Sequence, residues 1–425
     1  MHCTDLTSSN LSSEGAASSL MKAGSSKANI ARSENSVYQV GTPLARARAT
    51  MADPSPPSRE ILSLSDLETI ASRKLPRPVW EFFSSGATTQ VTVKENSSAF
   101  SKYRIIPRVL RDVSALDTTI SMFGEKLSFP LCVSPAGIQA MAHRDGELAT
   151  SRACARVGVN MGVSSYATYS VEEIVAAGRS VGSINHAIQL YSMNDRLKEE
   201  AIIQRAENAG CKAILLTADS PVLGVRWNET RNGFIPPVGL GYPMLDRTSD
   251  DIQAQSHGDG FAAFNSSSHC WETEIPWLRE RTRMEIWIKG VLCPEDVEMA
   301  IEYGCDGVIV SNHGGRQLDE TPATVDVLAA CAAAAKGRIR VHVDGGVRSG
   351  NDIFKALALG AECCWVGRPV LWGLAYDGER GVQLMLEILK GEFARCMQLA
   401  GCRSISDISP SSLGIFRADG PLARL

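Results

Sequence analysis

From Leu62 onward the chain alternates short apolar runs with amphipathic stretches. The runs begin near Phe129 (FPLCVS), Asn160 (NMGVS), Ala187 (AIQLY), Ala213 (AILLTAD), Glu285 (EIWIKG), Gly307 (GVIVSN), Arg340 (RVHVD) and Glu362 (ECCWVG). Between them, Glu147 to Ala155, Val171 to Ala177, Leu197 to Ala209, Pro294 to Tyr303 and Asn351 to Leu359 carry apolar residues at helical spacing. Strands covered on both faces read as continuous apolar runs, and eight strand–helix units close naturally into an α/β fold, the (β/α)8 TIM barrel. An open doubly wound sheet is the alternative, against which stands the lack of Gly-x-Gly-x-x-Gly after a first strand. Ahead of the repeat, Ser65 with Glu68 predicts a capping box for a helix over Asp66 to Ser72, and Pro78 to Phe83 a second short helix. One connection, about Gly224 to Thr282, is long and rich in Gly, Pro and Ser, which predicts a mobile active-site loop or lid.

The pattern divides the chain into a Ser/Ala-rich extension over 1–57, the barrel over 58–410 and a tail over 411–425. The extension has little apolar periodicity and is expected to be disordered. Composition adds few constraints. The chain has 425 residues, 44% of them hydrophobic, and a net charge of −4. That balance lacks the clustered Lys and Arg of a nucleic-acid surface, and no apolar run reaches the ~20 residues of a spanning helix. Twelve cysteines and seven histidines are scattered without ligand spacing. They predict reduced, buried thiols in an intracellular protein and no metal site.

Barrels of this kind carry their chemistry at the C-terminal ends of the strands. Those ends read Pro135-Ala136-Gly137, Ser164-Ser165-Tyr166, Gln189-Leu190-Tyr191, Thr217-Ala218-Asp219, Lys289, Ser311 to Arg316, Asp344 to Arg348, and Gly367-Arg368. Glycine-rich turns with Arg348 and Arg368 on the last two strands predict a phosphate site. His313 ends a strand with Arg316 three residues on and Asp219 on the same rim. A carboxylate beside imidazole raises its basicity, and Arg316 with Arg226 can clamp a carboxylate, so the set suits proton abstraction from a hydroxy acid. Lys289 leaves an apolar strand and must face an anion, either a reduced flavin or a core carboxylate. Tyr191 could donate to a substrate oxygen or pack in the core.

The stretches VSNHGGRQLD (310–319), HVDGGVRSGNDIFKALALGA (342–361) and VGRPV (366–370) resemble the FMN-dependent α-hydroxy acid dehydrogenase/oxidase family. SSGATTQ (84–90), MAHRDGE (141–147), SSYATYS (164–170), QLY (189–191), TADSP (217–221) and IKGV (288–291) match it in order, from about Leu62 to Ile408. The resemblance implies an (S)-2-hydroxy-acid oxidase or dehydrogenase that forms the 2-oxo acid and passes electrons from FMN to oxygen or another acceptor. It implies that His313 is the base and Asp219 its partner, that Arg226 and Arg316 bind the substrate carboxylate, and that Tyr191 meets the α-oxygen, with Tyr166 also facing substrate. Lys289 would stabilise the reduced flavin. Ala136, Gly137, Ser164, Gln189 and Thr217 would touch its ring and ribityl parts, and Asp344, Gly345, Gly346, Arg348, Gly367 and Arg368 would hold ribityl and phosphate.

Two positions depart from the family pattern. Phe82 stands where a Tyr is usual, which removes a donor to the substrate, and Gly137 stands where Ala is frequent. The alternative function is therefore a specialised pathway oxidase for a bulkier hydroxy acid or alcohol. An FMN-dependent isomerase would not need the carboxylate clamp, and an inactive scaffold would not need the full set. A homotetramer or homo-octamer is expected. Ala423-Arg424-Leu425 fits the small-basic-leucine pattern of peroxisomal import, with the cytoplasm as alternative, and Ser411 to Pro421 ahead of it reads as accessible.

Overall fold

The computed structural model describes residues 61–416 and 422–424. The expected disordered extension over 1–57 lies outside these residues. Eight parallel strands close a barrel in chain order: β1 (Leu131–Val133), β2 (Asn160–Val163), β3 (His186–Leu190), β4 (Ala213–Thr217), β5 (Glu285–Val291), β6 (Gly307–Val310), β7 (Arg340–Asp344) and β8 (Cys363–Val366). β8 returns to β1 with Trp365 opposite Cys132. The strand interiors are buried throughout because helices cover the outer face and side chains fill the inner one.

The lower interior is occupied by large rings. Trp287 lies 4.4 Å from His342, and Trp365 Nε1 donates to His342 Nδ1 at 3.0 Å. Gly307 makes room for this stack, since a Cβ there would lie 2.3 Å from the Trp287 ring. The hairpin of Ile120–Met122 and Glu125–Leu127 sends Phe123 edge-on to Trp287. With its lower half filled, the barrel has room for chemistry only at the strands' C-terminal ends.

Three expectations are corrected. The first helix is Leu64–Lys74 and is capped by Ser63 with Asp66, two residues before the predicted Ser65 and Glu68. Both pairs have the right spacing, but Leu64 and Leu67 are the residues that bury, which sets the start. The connection after β4 is not an irregular loop. It folds as the helices Trp227–Asn232, Ser249–Gln253, His257–Phe264 and Trp271–Arg281. Thr248 and Ser256 cap the second and third, and Arg196 ties the connection down through Glu274 and Glu199. Nor are the described residues of the tail free. Leu413 is buried, and Leu413–Phe416 pairs antiparallel with Tyr103–Ile105 on one side and Leu422–Arg424 on the other.

The eleven described cysteines are all free thiols and nine are buried, as their apolar surroundings predict, but Cys270 is exposed. No helix among the described residues is long and apolar enough to cross a membrane.

Candidate active site

The C-terminal strand ends surround a cleft of about 1230 Å³, open to solvent. His313, Arg226, Arg316, Lys289, Tyr191, Tyr166, Phe82, Ala136, Gly137, Ser164, Gln189, Thr217, Asp344, Gly345, Gly346, Arg348, Gly367 and Arg368 all line it. Asp219 alone among the predicted site residues stands behind the wall. It reaches the cleft through His313.

The loop after β6 sets the base. His313, Gly314 and Gly315 have φ of 57°, 63° and 74°, three successive left-handed residues. Glycine carries two of them at no steric cost, and a Cβ on Gly315 would lie 2.6 Å from Val93 N. His313 itself holds a conformation that a side-chain-bearing residue rarely adopts. Its amide is held by Ser311 Oγ at 3.1 Å. The turn carries the His313 ring back to β4, where Nδ1 lies 2.8 Å from Asp219 Oδ1. Asp219 can come this close because Gly290 stands beside it, and a Cβ there would sit 2.6 Å from Asp219 Cβ.

The Asp219 contact fixes the tautomer. Nδ1–H donates to the carboxylate, and Nε2 keeps its lone pair for the cleft. Burial lowers the His313 pKa and Asp219 raises it, with a net value below the usual histidine range, so the ring is neutral and ready to accept a proton. Burial pushes the Asp219 carboxyl up, but His313 and Lys289 outweigh it and keep it ionised.

Arg316 places Nη1 on the carbonyls of Phe82 (2.6 Å) and Ser85 (3.0 Å), and Arg226 is joined to it by a residue the sequence reading missed. Glu229 Oε1 lies 3.1 Å from Arg226 Nη1 and 3.4 Å from Arg316 Nη2. Its place, three residues after Arg226 in the first turn of a helix, was a readable sign. Burial raises its pKa, yet hydrogen bonding to His257 and the two arginines bring it down to about 2. Burial and Arg226 both oppose the Arg316 charge, so one carboxylate between two guanidiniums leaves an unmet demand for an anion.

Lys289 shows both of its readings at once. It lines the cleft, and its Nζ lies 3.3 Å from Asp344 Oδ2 and donates to Ser311 Oγ at 3.0 Å. An unpaired buried ammonium would cost several kcal/mol. Asp344 removes that cost and, with Asp219, lifts the pKa above its ordinary value against burial. A register shift between Lys289 and Val291 marks a bulge in β5 at this position. Tyr191 packs edge-on to Phe261 at 5.2 Å, and its hydroxyl has no hydrogen-bond partner among the described residues. Burial pushes the Tyr191 phenol up, so it remains a donor.

The same cleft fits FMN by its own features. Asp344 Oδ1 is buried without a partner. Gly345 and Gly346 have φ of 93° and 84°, and a Cβ on Gly346 would strike Asn96 O. Without side chains, this turn lets an anion approach the backbone closely beside Arg348 and Arg368, which line the same cleft. Burial, then Arg348, depresses Arg368 to about 9, the mark of a cation waiting for a counter-charge. Arg368 is fixed by the carbonyls of Phe83, Gly314 and Ser85. On the opposite wall Gln189 joins Ser165 N (3.2 Å) to Thr217 Oγ1 (3.1 Å), a polar ladder suited to a flavin ring. A Cβ on Gly137 would come within 3.0–3.1 Å of Tyr166, so an alanine there would require that loop to give.

Several motif residues prove structural. Asp319 accepts from Thr88 Oγ1, Thr89 Oγ1 and Thr92 N, and Asn312 exchanges side-chain hydrogen bonds with Asn96 at 2.8 Å. Gln317 accepts from Gly224 N and donates to Asp219 O. Two members of the aromatic wall, Phe234 and Phe261, were also missed. Phe82 stacks on Phe234 at 4.3 Å, and Phe261 faces Tyr166 and Tyr191.

Comparisons with known proteins agree with this geometry. The family described as FMN-dependent dehydrogenase matches residues 71–415. "Oxidase FUB9" of Fusarium oxysporum f. sp. lycopersici is 44% identical over 378 residues, covering 88% of this chain and 96% of the relative. Human "2-Hydroxyacid oxidase 1" is 42% identical, covering 82% and 95%, and "Glycolate oxidase" of Spinacia oleracea 41%, covering 86% and 98%. A solved structure of mandelate oxidase superposes with a TM-score of 0.76 at 36% identity, over 86% of this chain and all of the other. The chain belongs to the FMN-dependent dehydrogenase family, whose members include α-hydroxy acid oxidases.

Proposed function

We propose that this chain oxidises an (S)-2-hydroxy acid to the 2-oxo acid. The observation that carries the reading is a neutral, Asp-supported His313 in the same cleft as two arginines that together lack one negative charge. The substrate carboxylate docks on Arg226 and Arg316, and Tyr191 donates to the α-oxygen. His313 Nε2 takes the substrate proton, and Asp219 stabilises the imidazolium. Lys289 and the Gln189 ladder would hold the ring of FMN, which would accept the two electrons and the second substrate hydrogen and later pass them to oxygen or another acceptor. The test is product analysis: each turnover should yield one 2-oxo acid and, in air with oxygen as acceptor, one hydrogen peroxide. No oxo acid from any 2-hydroxy acid rejects the reading.

The side-chain end of the cleft favours a bulky apolar substituent. Phe82, Phe261, Tyr166 and Leu223 are among the residues lining the cleft, and Phe82, with Arg316 5.2 Å over its ring, has no hydroxyl to offer a small polar acid. This supports the specialised-oxidase alternative as a refinement of the same chemistry.

Peroxisomal residence and homo-oligomerisation are further parts of the proposal. The first is supported by Ala423-Arg424-Leu425, with the strand pairing of Ala423 and Arg424 setting how readily it is offered. The second is supported by exposed Val222, Val225 and Leu318, on two segments that Gln317 joins by donating to the Val222 carbonyl. An N-terminal fluorescent fusion should be punctate and become diffuse on deletion of Leu425. Light scattering should give four or eight chains per particle.

A further inference from the structure

The connection between β4 and β5 reaches the cleft at a histidine that the proposed chemistry does not use. His257 opens the helix His257–Phe264. Its ring lies edge-on to Phe82 at 5.4 Å, and its Nδ1 is 3.2 Å from Glu229 Oε2. Only 18% of the side chain is exposed. Since Glu229 Oε1 meets Arg226 and Arg316, one carboxylate joins both clamp arginines to the helix His257–Phe264.

The charges explain why this matters. Two guanidiniums and Glu229 sum to +1, which one incoming carboxylate cancels. Arg226 Nη2 and Arg316 Nε have no protein partner among the described residues, so these N–H groups remain for a ligand. Where they point depends on which oxygen of Glu229 each guanidinium holds. Burial keeps His257 neutral, so its Nδ1–H donates to Oε2, which Arg226 Nη1 also reaches at 3.4 Å, while Oε1 bridges the two arginines. With that donor gone, the arginines alone orient the Glu229 carboxylate, which can turn towards Arg226, and the outward N–H groups lose their fixed direction.

On the basis of the hydroxy-acid reading, we propose that His257 is a lid-borne positioning residue of the carboxylate clamp. By holding Glu229, it completes the anion site only while its helix is docked over the cleft. The helix has a second anchor independent of the clamp: Asn265, just beyond its end, donates to Tyr166 OH at 2.8 Å. Asn265→Ala therefore loosens the lid without touching Glu229.

The test uses the FMN-loaded enzyme and two matched competitive inhibitors of the hydroxy acid, phenylacetate and phenylacetamide. They share shape but only the first carries the charge. His257→Ala should raise the inhibition constant of phenylacetate about 10-fold relative to that of phenylacetamide. His257→Gln, whose amide can donate to Glu229, should recover most of the loss, and Asn265→Ala should weaken both ligands by one common factor. Equal losses for acid and amide in His257→Ala, or no recovery in His257→Gln, would overturn the role of His257. If wild-type flavin is not reduced by any 2-hydroxy acid, the underlying reading fails and this proposal with it.

Discussion

The strand-end rim and the connection after β4 form one cleft but are built on different principles. Rim residues sit on barrel strands whose neighbours are fixed by backbone pairing and by a packed interior. His313, Lys289 and Asp344 therefore have little freedom, and their partners follow from topology. At its entry the connection carries Arg226 and Glu229 against the rim; beyond them it supplies Phe234, His257 and Phe261, held by short capped helices and by contacts with the rim itself. The difference suggests a division of labour: the rim fixes the reaction, and the connection decides which substrate fits. Substitutions can break that division.

The largest effect belongs to the base. His313→Gln should lower the rate of anaerobic flavin reduction by ~10²–10⁴-fold for every substrate alike, with FMN still bound. A loss that varied with the substrate's side chain would place His313 in recognition rather than reaction.

Next is Asp219→Asn, which removes a charge that raises the His313 pKa and stabilises the imidazolium. Reduction should slow by ~10²-fold or more. In the wild type, kcat/KM should hold as pH falls below the ordinary histidine value of about 6.5, because His313 is depressed and stays neutral. In the variant this acid limb should move lower still. A limb that moved upward would contradict the assigned partner.

On the cofactor side, Arg368→Ala leaves the phosphate site with one cation fewer. FMN should dissociate more readily, by roughly 30-fold or more for ~2 kcal/mol of a charge-assisted contact, as read by flavin fluorescence after dilution. Unchanged retention would remove Arg368 from the phosphate site.

The smallest effects should come from the apolar end. Phe82→Tyr should shift kcat/KM towards lactate and away from mandelate by ~2–10-fold, for about 0.5–1.5 kcal/mol of added hydrogen bonding. Phe261→Ala should shift preference among bulky acids without slowing lactate. If Phe261→Ala slowed all substrates equally, the division between rim and connection would collapse.

The same contrast explains what was legible in the sequence. Buried parallel strands write themselves as unbroken apolar runs, so all eight were readable, and their polar ends named the rim. The loop after β6 was readable because His313-Gly314-Gly315 needs glycine where the backbone turns left-handed. Glu229 and His257 were not found, because their meeting is tertiary: one begins a short helix, the other begins a second, and neither lies in a periodic stretch. The first capping box was placed two residues too late for a related reason. Two Ser/acid pairs had correct spacing, and only the burial of Leu64 and Leu67 distinguishes them.

The central claim is that a hydroxy acid clamped by Arg226 and Arg316 gives its proton to His313. The direct measurement is the visible absorbance of the bound flavin, without oxygen, during titration with 2-hydroxy acids from lactate to mandelate. The account predicts bleaching of the flavin with one 2-oxo acid formed per flavin, lost in His313→Gln and strongly weakened in Arg316→Lys. A flavin that stays oxidised across the whole series, in protein that retains its FMN, would contradict it.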